Sequence, residues 1–569
     1  MLFKLSKKHH FIKWSILTLA FILFSLGILT GFFHACFEVT QALLPQSPHS
    51  LSSEEENKIL SSAHTEDVNN LTVLYLTGTP YQMGYQHGHF ARNKILSFRH
   101  AAYDYMTNLI GQEMSLPHWM SSLLTKPLLF WQALKYRDKI PQIYLEEATG
   151  IADGAGIHQL EVILVTAIWE MYLVGGCSEF AITGEMTSDG ELIHGYNYDL
   201  MAKEHALINP HLAMIFYRPS SGIPFSTMNT VGSIGVNAGM NDKGISVAWD
   251  NTYVRDRTIF KGIDFPVIPF IITLRRVLQE SASLDEGIVK VIKTLPRPLA
   301  DIVIISSAKE HQAVALETAG KVYATRPLKN GAVWSTNYFR STELAPYEIR
   351  GDWREMSDSQ SVRTFPRYAS YAELLNRYKG YITPHIALEI LRDPYPREAA
   401  GEKYPEKRTT ICRPYTGFSL IMKPGQGLIW CSDGQLPAPQ GKFYAFDQKQ
   451  WERLPELDFS ESGFHSAVEC ANAYLQGNFP AAQGALQKAI KLDGKTTPYL
   501  LMESILLFKV NEKNNAQSIL KQIFTKWPDT EIGRLAYAWL KGEKQNPISV
   551  PFPSAISPIL TISERSIEN

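Results

Sequence analysis

The chain carries almost no net charge: 55 basic and 56 acidic side chains leave -1. It therefore lacks the basic footprint through which proteins bind nucleic acid. Cysteine is scarce. The five residues, Cys36, Cys177, Cys412, Cys431 and Cys470, are odd in number and far apart. No C-x-x-C pair or Cys/His cluster suggests a zinc site, and spacing alone assigns no disulfide among Cys412, Cys431 and Cys470. A G-x-S-x-G elbow, an H-E-x-x-H helix and a phosphate-binding glycine loop are also missing. What remains is ordinary: 45% hydrophobic, 11% aromatic and 20% charged residues, the composition of a folded globular protein. At 569 residues the chain has room for two or three domains.

The N-terminus reads as a membrane signal. Trp14 to Phe33 is a run of 20 residues without a charge, about the length of a bilayer span. Lys4, Lys7, Lys8 and Lys13 precede it, and the positive-inside rule keeps residues 1–13 cytoplasmic and sends the rest across. The reading is a single-pass signal-anchor over 14–33, with the folded region that follows on the extracytoplasmic side. A signal peptide cleaved near Phe33-His34-Ala35-Cys36, giving a secreted protein, is the competitor; its apolar region is longer than usual.

Residues 34–70 read as a linker, for Pro45-Gln46-Ser47-Pro48 and Ser52-Ser53-Glu54-Glu55-Glu56 show no apolar period. A short strand at Leu71–Leu76 opens a helical region over 71–176, with helical patterns from Ile140 to Ala152 and from Gln159 to Tyr172. From Cys177 to about residue 460 strands and hairpins alternate with one helix pair, about Pro266–Glu280 and Leu284–Leu295. Asn241-Asp242-Lys243-Gly244 is a hairpin turn among them. Sheet, helix pair, sheet suggests a layered α/β sandwich. Over 464–545, Ala482, Leu486 and Ile490 recur 34 residues later as Ala516, Leu520 and Phe524, the tetratricopeptide (TPR) period. A plain helical bundle fits two copies equally well. Residues 546–569 read as a loose tail.

Cys177 follows two glycines, Gly175 and Gly176, and heads a strand. A turn at Ser188-Asp189-Gly190 returns a second strand to Asn197-Tyr198-Asp199. A lone cysteine near a strand is usually a small buried hydrophobe. Here, however, the hairpin brings a carboxylate back to the thiol.

Three blocks carry a family resemblance. The first is Gly84-Tyr85-Gln86-His87-Gly88 with Gly150-Ile151-Ala152-Asp153-Gly154-Ala155-Gly156. The second is the Gly-Cys strand with Gly195-Tyr196-Asn197-Tyr198-Asp199, and the third runs from Arg367-Tyr368 to Ile390-Leu391-Arg392-Asp393. In order and spacing over residues 72 to 435 they resemble the isopenicillin-N acyltransferase family of cysteine N-terminal-nucleophile (Ntn) hydrolases. They are similar, more remotely, to bile-salt hydrolases, acid ceramidases and phospholipase B-like proteins. The resemblance implies an α+β fold: a four-layer αββα sandwich over 177–460, after a helical pro-region and before the small TPR-like helical segment. It implies self-cleavage between Gly176 and Cys177, with Cys177 as nucleophile and its freed α-amine as base. Asp199 would orient that amine, Asn251 would serve the oxyanion, and Asn337 would contact the amine or the substrate. Arg367 would steady the thiolate, with Arg363 in its place if the register slips. No cofactor or metal is implied; His87-Gly88-His89 belongs to the first block and has no third ligand nearby.

One departure stands out. Where the bile-salt hydrolase branch commonly carries an arginine before Asn-x-Asp, this chain has Tyr196. The expected activity is cleavage or transfer of an acyl group from an acylated small molecule or lipid-like substrate, through an acyl-thioester. The helical C-terminal segment is a candidate seat for a protein partner. The alternative is a membrane-tethered binding protein that keeps the fold without catalysis.

Overall fold

The computed structural model describes residues 51–171, 176–200, 202–252, 254, 256–347, 364–394, 410–528 and 531–542. The apolar run at 14–33, Arg363 and the tail at 546–569 lie outside the described residues. Among those described, no single helix is long and apolar enough to cross a bilayer.

Two mixed-order sheets are built from the described strands, with helices on both sides. Sheet A joins β1 (His64–Val68), β2 (Leu71–Gly78), β5 (Leu212–Pro219), β6 (Phe225–Thr230), β7 (Ala238–Asn241), β8 (Ile245–Asn251), β9 (Arg297–Ser307), β10 (Gln312–Gly320) and β11 (Val322–Pro327) in that order. Sheet B runs β12 (Ala332–Thr336), β3 (Gly176–Gly184), β4 (Gly190–Asp199), β13 (Thr416–Lys423), β14 (Leu428–Ser432), β15 (Phe443–Asp447) and β16 (Glu452–Arg453). β2 lies parallel to β5, pairing Thr72 with Ala213. The segment before Cys177 thus supplies an inner strand of a sheet whose other strands, β1 apart, come after it.

The period of two along each strand decides which layer each side chain meets. On β3, Phe180 and Ile182 pack with Tyr371, Leu374 and Leu388 of the helices Thr364–Arg377 and Pro384–Leu391. Ala181, between them, points the other way, onto Ile302, Ile304 and Ala315 of sheet A. On β9, Val303 and Ile305 turn from that interface toward Leu274, Val277 and Val291 of the helices Phe270–Glu280 and Leu284–Ile292. Both strands are covered on two faces, which is why they read as continuous apolar runs.

The glycine block has a packing cause. Gly84 and Gly88 on helix Pro80–Phe90 face Gly150 and Gly154 on helix Gln142–Ala155, backbone against backbone. An added Cβ at Gly84 would run into Glu147 O, and one at Gly150 into Tyr81 O. His87 on the same helix accepts from Gly232 N–H at 3.0 Å, and burial lowers its pKa to about 3. Gly84→Ala is expected to destabilise the fold by about 3 kcal/mol, read as a lower urea midpoint; an unchanged midpoint would show that the helices can separate freely. Glu147 also forms a buried two-pronged pair with Arg275, at 2.7 and 2.5 Å. That pair ties the early helices to the helix Phe270–Glu280.

The structure differs from the sequence reading at residues 53–68. Ser53–Leu60 is a helix and His64–Val68 is β1. Ser52 caps the helix through Glu55 N–H while Glu55 Oε2 accepts from Ser52 N–H at 2.9 Å, a capping box whose polar residues hide any apolar period. Cys177, Cys412, Cys431 and Cys470 are all free and buried. The C-terminal helices Phe464–Leu475, Phe479–Asp493, Thr497–Lys509, Lys513–Lys526 and Glu531–Lys541 share a core that includes Ala482, Leu486 and Leu520.

Candidate active site

Strand register assembles the site. β3 and β4 pair antiparallel with Gly176 opposite Asp199 and Cys177 opposite Tyr198, so the Asp199 backbone lies across the strand pair from Gly176. On the other side β12 pairs Thr336 with Ser178, and Asn337 is the next residue along. β13 brings Thr416 opposite Asp199.

Arg367, buried on the helix Thr364–Arg377, spans these strands. Its Nη1 donates to Cys177 O and to Asp199 Oδ2, each at 3.0 Å, and its Nη2 donates to Asn337 Oδ1 at 2.5 Å. Thr416 Oγ1 donates to Asp199 Oδ1 at 2.6 Å, and Arg413 lies 3.6 Å from Oδ2. Asn337 Nδ2 donates to Asn251 O at 2.7 Å, and Thr252 Oγ1 to Asn337 O at 2.8 Å. Cys177, Asp199, Asn337 and Arg367 are therefore in one connected cluster. Asn251 joins it through its backbone, with its side-chain Oδ1 buried and unpartnered.

The thiol is under opposing influences. Burial pushes Cys177 well up, and the Asp250 carboxylate pushes in the same direction. The Tyr196 hydroxyl opposes them by hydrogen bonding; Asp199 raises the thiol by its charge and lowers it through its backbone amide. Burial also raises Asp199, against the pull of Arg413 and Arg367.

Behind the thiol, a polar chain is sealed between the sheets. Ser335 Oγ lies 2.5 Å from Asp250 Oδ2 and 3.2 Å from Glu179 Oε1. Glu179 Oε2 is 3.3 Å from His194 Nε2, and His194 Nδ1 is 3.0 Å from Ser246 Oγ. One hydroxyl proton cannot serve two carboxylates. Glu179 Oε1 also accepts from Ile304 N–H at 3.2 Å, and burial raises both acids. Burial lowers His194 to about 3, so its contact with Glu179 is a neutral hydrogen bond rather than an ion pair.

The sequence reading missed Thr416, Arg413, Asp250, Glu179 and a function for Tyr196. Thr416 and Arg413 reach Asp199 only because β13 pairs with β4, more than two hundred residues away in the chain. Asp250 and Glu179 had a signal, for charged residues inside apolar strands are rare unless partnered. No group of three or more His, Cys, Asp or Glu poised for a metal occurs among the described residues.

A family model of the kind the sequence blocks resemble matches part of the chain. Residues 186–433 match the family model described as acyl-coenzyme A:6-aminopenicillanic acid acyl-transferase. The match begins just after the strand that bears Cys177. It is 26% identical over 243 residues to the 40 kDa form of acyl-coenzyme A:6-aminopenicillanic-acid-acyltransferase from Emericella nidulans, covering 42% of this chain and 61% of that one. It is 24% identical over 295 residues to an uncharacterized protein of Archaeoglobus fulgidus, covering 45% of each. The chain spans about half the length of the curated relatives it matches. Among solved structures, the Caenorhabditis elegans N-acylethanolamine-hydrolyzing acid amidase ortholog is similar at 17% identity and a TM-score of 0.32, over 44% of this chain and 93% of that one.

Proposed function

We propose that this chain is a cysteine Ntn acyl-transferring enzyme that cleaves an amide or ester bond of an acylated small molecule or lipid-like substrate. The observation that carries the reading is the register that sets Asp199 opposite Gly176, with Arg367 joining Cys177, Asp199 and Asn337.

The chemistry runs in two stages. In maturation, Cys177 Sγ attacks the Gly176 carbonyl carbon, the Gly176–Cys177 C–N bond breaks, and the departing amine takes the proton. Water then hydrolyses the thioester left on Gly176, freeing a new N-terminus. In turnover, the free α-amine, with an ordinary pKa near 7.7–8.0, takes the thiol proton while Sγ bonds to the substrate carbonyl carbon. The amine or alcohol leaves with that proton. Water or an acceptor then resolves the acyl-thioester. Asp199 orients the α-amine, the Asn251 amide serves the oxyanion, and Asn337 and Arg367 hold the strand ends in place.

In this reading the two sheets and their covering helices form a four-layer αββα sandwich, the helices before Cys177 are a pro-region, and the C-terminal helices are TPR-like. Residues 14–33 anchor the protein with its site beyond the membrane; the support is the length of the apolar run and the lysines before it. Incubation of the purified chain with an activated N-acyl amide should add one acyl mass to the peptide beginning at Cys177. The adduct should be released by hydroxylamine, as a thioester is. Acylation elsewhere, or none, would overturn the assignment.

A further inference from the structure

Tyr196 is sealed beneath the thiol. Its ring lies against Phe418 and Tyr198, with centroids 5.8 and 6.3 Å away. Its hydroxyl oxygen has two partners: Cys177 Sγ at 3.3 Å and Trp249 O at 3.0 Å. A phenol carries one proton, and a backbone carbonyl can only accept. When the thiol is neutral, the phenol gives its proton to Trp249 O and leaves a lone pair for the S–H. When the thiol ionises, sulfur becomes a charged acceptor and the stronger claimant. Rotation about the C–O bond alone moves the proton from one to the other.

We infer that Tyr196 is a catalytic residue that stabilises the Cys177 thiolate by turning its single phenolic proton from Trp249 O to the sulfur. The inference rests on Cys177 being the nucleophile. The surroundings give this bond its importance. Burial, Asp250 and Asp199 all oppose ionisation of the thiol; the Tyr196 hydroxyl is the side chain that favours it, alongside the Asp199 backbone amide. Tyr198, the other phenol near the sulfur, is buried and pushed well up. Arg367 directs its fork to the Cys177 carbonyl, Asp199 and Asn337. The Tyr196 hydroxyl is itself pushed far up by burial, so it keeps its proton at any working pH. Trp249 sits two residues before Asn251 on β8, so the same hydroxyl ties the thiol to the strand whose end carries the proposed oxyanion donor.

The test is the pH dependence of Cys177 alkylation by iodoacetamide in the full chain, read as the modified fraction of the Cys177 peptide by mass. Tyr196→Phe keeps the ring and loses the proton. It should move the inflection up by about one pH unit and slow alkylation below it about tenfold. Phe418→Leu loosens the same ring but keeps the hydroxyl, and should leave the inflection in place. If Tyr196→Phe fails to fold, 3-fluorotyrosine at 196 keeps the shape and sharpens the acidity of the donor, and should move the inflection down. An inflection unmoved by Tyr196→Phe, or unmoved by the fluorinated ring, would overturn the inference. Alkylation reads the thiol whether or not the chain turns over. A moved inflection in a chain that neither cleaves nor takes an acyl group would sink the enzyme reading and with it the catalytic role of Tyr196, leaving only a phenol–thiolate hydrogen bond.

Discussion

Cys177→Ala is expected to yield one uncut polypeptide with no acyl transfer, where the natural chain yields a piece ending at Gly176 and another beginning at Cys177. Without Sγ there is nothing to attack the Gly176 carbonyl and nothing to hold the acyl group. Turnover should fall at least about a thousandfold, the scale seen when a nucleophile is removed. The fold should survive. Deleting one buried sulfur leaves a small void costing on the order of 1–2 kcal/mol, and the β3 pairings with β4 and β12 do not depend on it. Denaturing electrophoresis separates the cases: a cut Cys177→Ala chain would show that another group performs the cleavage. The cut pieces of the natural chain should stay together under native conditions, because β2 from the first piece is paired along its length with β5 of the second.

Arg367→Met should be the most damaging change outside the thiol. The guanidinium is fully buried and makes three polar contacts in one plane, to Cys177 O, Asp199 Oδ2 and Asn337 Oδ1. Its loss leaves Asp199 buried with Thr416 and a longer contact to Arg413. Breaking a buried pair from one side costs about 3–5 kcal/mol, and the Asp199 carboxyl, already raised by burial, should rise further. A protonated Asp199 cannot steady an ammonium, so activity near neutral pH should drop with stability. Arg367→Lys keeps a charge but loses the planar fork. It should recover part of the stability and little of the activity. A full-strength, fully active Arg367→Met chain would show that the cluster is incidental.

What could be read in the sequence was what the chain writes locally. The hairpin that returns Asp199 to Gly176 is announced by Ser188-Asp189-Gly190, and the turn before β8 by Asn241 to Gly244; both strands follow within ten residues. The 34-residue echo of Ala482 and Leu486 in Ala516 and Leu520 falls on two helices that share a buried core. The family resemblance pointed to Asn337 and Arg367; in the structure Arg367 donates to Asn337 Oδ1 and to the Cys177 carbonyl. The missing parts are non-local. The pairing of β13 with β4 that delivers Thr416, and the inter-sheet chain through Glu179, Ser335 and Asp250, depend on which faces meet, and one sequence does not record that. Helix Ser53–Leu60 was lost for another reason: its evidence was a cap, Ser52 with Glu55, rather than an apolar stripe.

The central claim is that the working thiol belongs to a chain end made by cutting. Its most direct test is the N-terminal residue of the mature protein. Purified full-length protein should contain a piece whose first residue is Cys177, found by N-terminal sequencing and by intact mass. An uncut chain that still transfers acyl groups through Cys177, or a cut at any other bond, would contradict the account.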